Sequence, residues 1–147
     1  MDEFSKKILI VDDEKYLRNI LKISLKKSGY ECYESENGES ALELLKTENQ
    51  NIFLAIVDVM MPGMSGIEFL RIAKQKYPQI EFIILTAASS NEIVVDALKF
   101  GATTYCTKPL NLDEMKFIAE KTREIYQLRA QNLELIEKLK TNLNVEL

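Results

Sequence analysis

The sequence predicts a doubly wound α/β domain, a five-stranded parallel sheet with helices on both faces. Three observations carry the prediction. Ile52-Phe53-Leu54-Ala55-Ile56-Val57 is a short, β-branched apolar run that stops on Asp58. A run too short for a membrane span and apolar at every position reads as a strand covered on both faces. Strand-like and helix-periodic segments alternate five times along the chain, the pattern of a parallel sheet with crossover helices. Finally, polar residues close the strands, which puts chemistry at the carboxyl edge, where open α/β sheets build their sites.

The elements follow in order. Lys7-Ile8-Leu9-Ile10-Val11 is the first strand and ends in Asp12-Asp13-Glu14. A helix is expected from about Glu14 to Ser28, with Leu17, Ile20, Leu21, Ser24 and Leu25 as its stripe and Gly29 where a C′ glycine belongs. Glu31 to Ser35 is a short, weak strand. Asn37-Gly38 is expected to turn the chain before a helix over Ser40 to Glu48. The central strand, residues 52–57, then delivers Asp58 to the Met61-Pro62-Gly63 break. Ser65 should cap a helix that carries Ile67, Phe69, Leu70 and Ala73 inward and ends near Tyr77, before Pro78. Ile80 to Leu85 is the fourth strand, closed by Thr86. Ser90-Asn91-Glu92 opens a helix that Gly101 ends, with Ile93, Val94, Ala97 and Leu98 as core. Thr103 to Cys106 is the fifth strand, followed by Lys108-Pro109, and a last helix starts near Asn111. From Leu110 to Leu147 there is no Gly or Pro. Thirty-odd helical residues reach roughly 50 Å, so this helix should project beyond the sheet.

Composition bounds the function. The chain has 147 residues, 46% hydrophobic and 29% charged, enough for one domain with a core. A net charge of −4 argues against direct nucleic-acid binding by this segment. Met1-Asp2-Glu3-Phe4-Ser5 has no apolar signal-peptide region, and no run approaches a membrane span; a cytoplasmic location is expected. Cys32 and Cys106 form no CxxC and no metal spacing. Histidine is absent, which excludes a histidine base, ligand or phosphocarrier within this chain.

In a parallel sheet the strand ends share one edge, so Asp12, Asp13, Asp58, Thr86 and Lys108 converge. Two carboxylates ~4 Å apart repel by roughly 4 kcal/mol at an effective dielectric of 20, and one lysine offsets only part of that. A divalent cation resolves it. The donors are hard oxygens, so Mg²⁺ or Mn²⁺ is expected. With the metal and Lys108 neutralising oxygens and Thr86 donating a hydrogen bond, the site suits a phosphoryl group, with Asp58 as nucleophile. A flavodoxin-like nucleotide site wants a Ser/Thr/Gly phosphate loop where Asp12-Asp13-Glu14 stands. A dehalogenase-type phosphatase wants a second acid two residues after the nucleophile, where Met60 stands.

Each residue also has a plainer reading. Asp12 and Asp13 can cap a helix, Thr86 and Tyr105 can be ordinary strand residues, and Lys108 can be solvated. Only their conjunction singles them out. That conjunction resembles the response-regulator receiver domains of two-component signalling. The similarity spans about residues 6–122 and rests on four segments in order and spacing: Ile8–Glu14, Asp58–Gly66, Leu85-Thr86-Ala87 and Tyr105–Leu110. The resemblance implies the strand order 2-1-3-4-5 and phosphorylation of Asp58 by a partner histidine kinase or histidine phosphotransfer protein. It implies Mg²⁺ held by Asp13, Asp58 and the Met60 carbonyl, with Asp12 acting mainly through water. It further implies a switch made by Thr86 and Tyr105 and a cis Lys108–Pro109 bond. The strand order puts Cys32 and Cys106 about 19 Å apart, too far for a disulfide.

The expectation is therefore a receiver domain over residues 1–122, a phosphoacceptor and not a turnover enzyme, followed by a helical linker or coiled coil over 123–147. Ile118, Ile125, Leu128, Asn132, Leu135 and Leu139 follow an a/d pattern that suits a homodimer, with Leu133, Ile136 and Leu143 as a second stripe. A phosphorelay intermediate and a phosphorylation-independent pseudo-receiver scaffold are the alternatives. Met60 and Ala88, two positions after the nucleophile and the threonine, offer no group to hold a hydrolytic water, so a long-lived phosphorylated state is expected.

Overall fold

The computed structural model describes residues 5–87 and 91–143. Five parallel strands, β1 (Lys7–Val11), β2 (Glu31–Ser35), β3 (Ile52–Asp58), β4 (Glu81–Ala87) and β5 (Thr104–Lys108), form one sheet in the order β2-β1-β3-β4-β5. Between them run α1 (Lys15–Lys27), α2 (Gly38–Glu48), α3 (Gly66–Lys76) and α4 (Asn91–Lys99), and α5 (Leu112–Leu143) closes the chain. Ala88 and Ser90, singled out from the sequence, lie outside the described residues.

The alternation of each strand divides the core into two layers. Leu9, Val11, Ala55, Val57, Phe82 and Ile84 face α2 and α3. Ile8, Ile10, Leu54, Ile56, Ile83 and Leu85 face α1 and α5. One irregularity interrupts this. Lys7 pairs with Ile52 but Ile8 with Leu54, so β3 bulges at Phe53 and presents two successive side chains to the α1/α5 layer. There the Phe53 ring meets Tyr30 at 5.8 Å and Tyr126 at 5.6 Å.

Local chemistry sets the helix ends. Gly29 takes φ +93° after α1, a conformation glycine adopts without a Cβ penalty. Ser65 caps α3 by accepting the Glu68 N–H at 3.2 Å. Asn37 departs from the expected turn: its Oδ1 accepts the Ser40 N–H at 2.7 Å, so it is the N-cap and α2 starts at Gly38. β4 and β5 run two residues further than expected, carrying Thr86 and Lys108 inside the ladder.

α5 buries Met115, Ala119 and Thr122 against the sheet. Contact continues through Tyr126 and through Arg129, whose Nη1 lies 2.7 Å from the Glu81 carboxylate. Helix and sheet thus stay joined past residue 122. From Gln131 almost every residue is exposed, and the helix stands clear of the domain. Among the described residues no helix is long and apolar enough to cross a membrane. Cys32 and Cys106 are free and lie on opposite edge strands.

Candidate functional site

Strand register builds the site. Val11 pairs with Val57, Asp58 with Leu85, and Thr86 and Ala87 with Thr107 and Lys108. Asp12 follows β1 directly, Asp58 is the last residue of β3, and Lys108 is the last of β5. Carboxylate oxygens of Asp12, Asp13 and Asp58 lie within 4.8 Å of one another. Lys108 Nζ donates to Asp58 Oδ2 at 3.0 Å and stands 3.9 Å from Asp12 Oδ2.

Asp58 is held at both oxygens, since Oδ1 accepts the Met60 N–H at 3.1 Å. The loop around it is equally constrained. Val59 N–H donates to the Leu85 carbonyl and Gly66 N–H to the Val59 carbonyl. A Cβ on Gly66 would sit 2.1 Å from the Asp58 carbonyl oxygen, so only glycine lets α3 start this close to the strand exit. Gly63 takes φ +77° in the same loop.

Asp12 is wholly buried. Its Oδ1 accepts the Glu14 N–H at 2.8 Å, whereas Oδ2 has no hydrogen-bond partner among the described residues. Burial pushes its carboxyl up to about 6; the Glu14 N–H and Lys108 oppose this, and the charges of Asp58 and Asp13 add to it. Burial works against the Lys108 charge, but its hydrogen bond to Asp58 and the acids around it outweigh that and hold its pKa above the usual lysine value. Three carboxylates around one ammonium make a net anionic cluster of hard oxygens. A buried acid with an orphaned oxygen fits a small divalent cation.

Thr86 is 2% exposed, and among the described residues its hydroxyl donates only to the Ala87 carbonyl, at a weak 3.4 Å. Tyr105 pairs with Ile84, lies outside the acid cluster and is 43% exposed. Met60 is 71% exposed. The Lys108–Pro109 bond is cis. Thus the structure gathers Asp12, Asp13, Asp58 and Lys108, sets Thr86 on the strand beside Asp58, and leaves Tyr105 apart.

Sequence reasoning missed the supports. Arg18 reaches from α1 to the Asp12 backbone carbonyl at 2.7 Å and to Glu34 at 2.8 Å, and Lys22 clamps the other Glu34 oxygen at 2.6 Å. The available signal was a cation at position 18 on the stripe shared with Leu21 and Leu25.

Comparison with known proteins agrees with this geometry. Residues 8–120 match the response regulator receiver domain family. A cyclic di-GMP phosphodiesterase of Thermotoga maritima is 40% identical over 109 residues, 74% of this chain and 28% of that protein. The DNA-binding transcriptional regulator NtrC of Escherichia coli is 35% identical over 124 residues, 84% of this chain and 26% of that protein. The chain therefore spans little more than a quarter of either relative. Among solved structures, a receiver domain protein from Clostridium thermocellum superposes with TM-score 0.79 at 27% identity, over 85% of this chain and 98% of that one. The beryllofluoride-activated NtrC4 receiver domain dimer gives 0.75 at 26% identity, over 82% and 98%. With the sheet order, the acid cluster and its lysine in place, the chain belongs to the response regulator receiver domain family.

Proposed function

We propose that Asp58 accepts a phosphoryl group from the phosphohistidine of a partner kinase or histidine phosphotransfer protein, in a Mg²⁺-dependent reaction. One observation carries the reading. Asp58, 3% exposed, is fixed by Lys108 and the Met60 N–H at a strand end where three carboxylates meet one ammonium. Asp13, Asp58 and the Met60 carbonyl would hold the ion, with Asp12 acting through water. Bound there, it would neutralise oxygens of the acids and of the incoming phosphoryl group.

The chain's own residues do the rest. An Asp58 oxygen attacks phosphorus, the P–N bond of the donor breaks, and its electron pair returns to the histidine nitrogen. Lys108 shifts its contact from the carboxylate to a phosphoryl oxygen, and the Thr86 hydroxyl turns to donate to another. The Thr86 move leaves space for Tyr105 to change its exposure, which is the switch. The domain assists its own phosphorylation and has no turnover activity of its own. We place it in the cytoplasm, with residues 1–122 as receiver and 123–147 as a linker that pairs with a second copy; residues 144–147 lie outside the described residues. The exposed Leu128, Leu135 and Leu139 support that pairing, as does the dimeric state of the NtrC4 receiver.

Acetyl phosphate with Mg²⁺, followed by intact-mass measurement, tests the reading. Wild type should gain one phosphoryl group, Lys108→Ala far less, and Asp58→Ala none, and a chelator should abolish labelling. Undiminished labelling of Asp58→Ala would remove the assignment.

A further inference from the structure

Asp12 is held at three of its four polar atoms. Its N–H donates to the Ser35 carbonyl at 3.1 Å. Its carbonyl accepts from Arg18 Nη1 at 2.7 Å. Its Oδ1 accepts the Glu14 N–H at 2.8 Å. Among the described residues only Oδ2 finds no hydrogen-bond partner, and it is the oxygen that lies 3.9 Å from Lys108. The residue is aimed by its other contacts, and two of them come from the end of the edge strand β2, directly from Ser35 and through Glu34 and Arg18.

Arg18 is suited to this work. Its side chain is 11% exposed, and its planar guanidinium meets the Asp12 carbonyl with Nη1 and Glu34 Oε1 with Nε. A lysine has no such fork. Glu34 is itself fixed, since Lys22 takes its second oxygen, and the hydrogen bonds from Lys22 and then Arg18 hold its carboxyl below the usual range. Such a chain of hydrogen bonds behind a ligand sets the ligand's direction.

We propose that Arg18, braced by Glu34, is a positioning residue for the metal-binding acids: it pins the Asp12 carbonyl and so sets the aim of the Asp12 and Asp13 carboxylates. The inference rests on the reading that these acids bind Mg²⁺. Charge and position predict opposite signs. Removing a cation near a cation site should by itself tighten Mg²⁺ binding. Losing the brace should weaken it, by about tenfold on the scale of other outer-shell partners.

The test is Mg²⁺ affinity by calorimetry on the intact domain, with unfolding in a chelator as control. Arg18→Ala should bind Mg²⁺ about tenfold more weakly, Arg18→Lys should recover little, and saturating Mg²⁺ should restore acetyl phosphate labelling. Glu34→Gln, which leaves Arg18 in place but loosens the brace, should move affinity in the same direction and carries the test if Arg18→Ala does not fold. The double variant should be no worse than Arg18→Ala. A folded Arg18→Ala with unchanged or tighter Mg²⁺ binding overturns the inference, even if it unfolds more readily, because that is the mark of a structural strut. Wild type that binds no Mg²⁺ overturns the proposed function and this inference together.

Discussion

Two carboxylates in this sheet are wholly buried, and they lie at opposite edges. Glu81, at the amino end of β4, has both oxygens engaged: Arg129 Nη1 stands 2.7 and 3.0 Å from them, and the Thr103 hydroxyl donates at 2.9 Å. Asp12, at the carboxyl end of β1, has an orphaned oxygen and two further acids beside it. Burying a charge is tolerable when it is paired and costly when it is not. Glu81 is therefore a structural acid that ties α5 to the sheet. Asp12 belongs to an edge where three acids share one lysine, an arrangement that suits the divalent cation proposed above. Burial alone does not distinguish the two; hydrogen-bond satisfaction does.

The largest effect at a fixed pH should come from breaking the satisfied pair. Arg129→Ala leaves Glu81 buried without its cation and should cost about 2–3 kcal/mol by urea unfolding, less than a fully buried pair because Arg129 is half exposed. Replacing both residues by leucine should recover most of the loss, and Asp58 labelling should be unchanged in either variant. Impaired labelling would mean that the two edges are not separate in role.

Next comes the pH dependence of the unsatisfied acid. The folded state holds the Asp12 carboxyl at about 6, above its ordinary 3.8. A raised carboxyl contributes stability below the ordinary value and loses it as pH rises through the folded value. In a chelator, wild type should therefore lose stability relative to Asp12→Asn between pH 3.8 and about 6, by on the order of 3 kcal/mol at most. Parallel curves would show that Asp12 carries no such strain.

The smallest stability change is expected at Thr86. The hydrogen bond of its hydroxyl to the Ala87 carbonyl is long, so Thr86→Ala should cost about 1 kcal/mol or less. Its consequence is in coupling: phosphate uptake should persist while the Tyr105 ring resonances stop responding. Equal Tyr105 responses with and without the hydroxyl would remove the switch.

The strand ends were legible in the sequence because residue type changes abruptly there, as at Val57-Asp58 and Val11-Asp12. Once the strands are parallel, those ends must share an edge. The supports were not legible, because long side chains reach across the fold. Arg18 meets Glu34 across 16 residues and Arg129 meets Glu81 across 48. Only a faint trace is present in the sequence: each arginine falls on an apolar helix stripe, Arg129 on that of Met115, Ala119, Thr122 and Tyr126. Asn37-Gly38 misled for a different reason. Asparagine before glycine suits a turn or a helix cap equally, and the Ser40 N–H decides for the cap.

The most direct measurement is thermal unfolding of wild type, Asp12→Asn and Glu81→Gln, each with a chelator and with excess Mg²⁺. A ligand that binds only the folded state raises its unfolding temperature in proportion to binding free energy. In the chelator, Asp12→Asn should unfold above wild type and Glu81→Gln below it. Mg²⁺ should raise wild type and Glu81→Gln by similar amounts and Asp12→Asn by clearly less. An unresponsive wild type, or an Asp12→Asn variant that gains as much from Mg²⁺ as wild type does, would contradict the assignment of the unsatisfied edge to a metal.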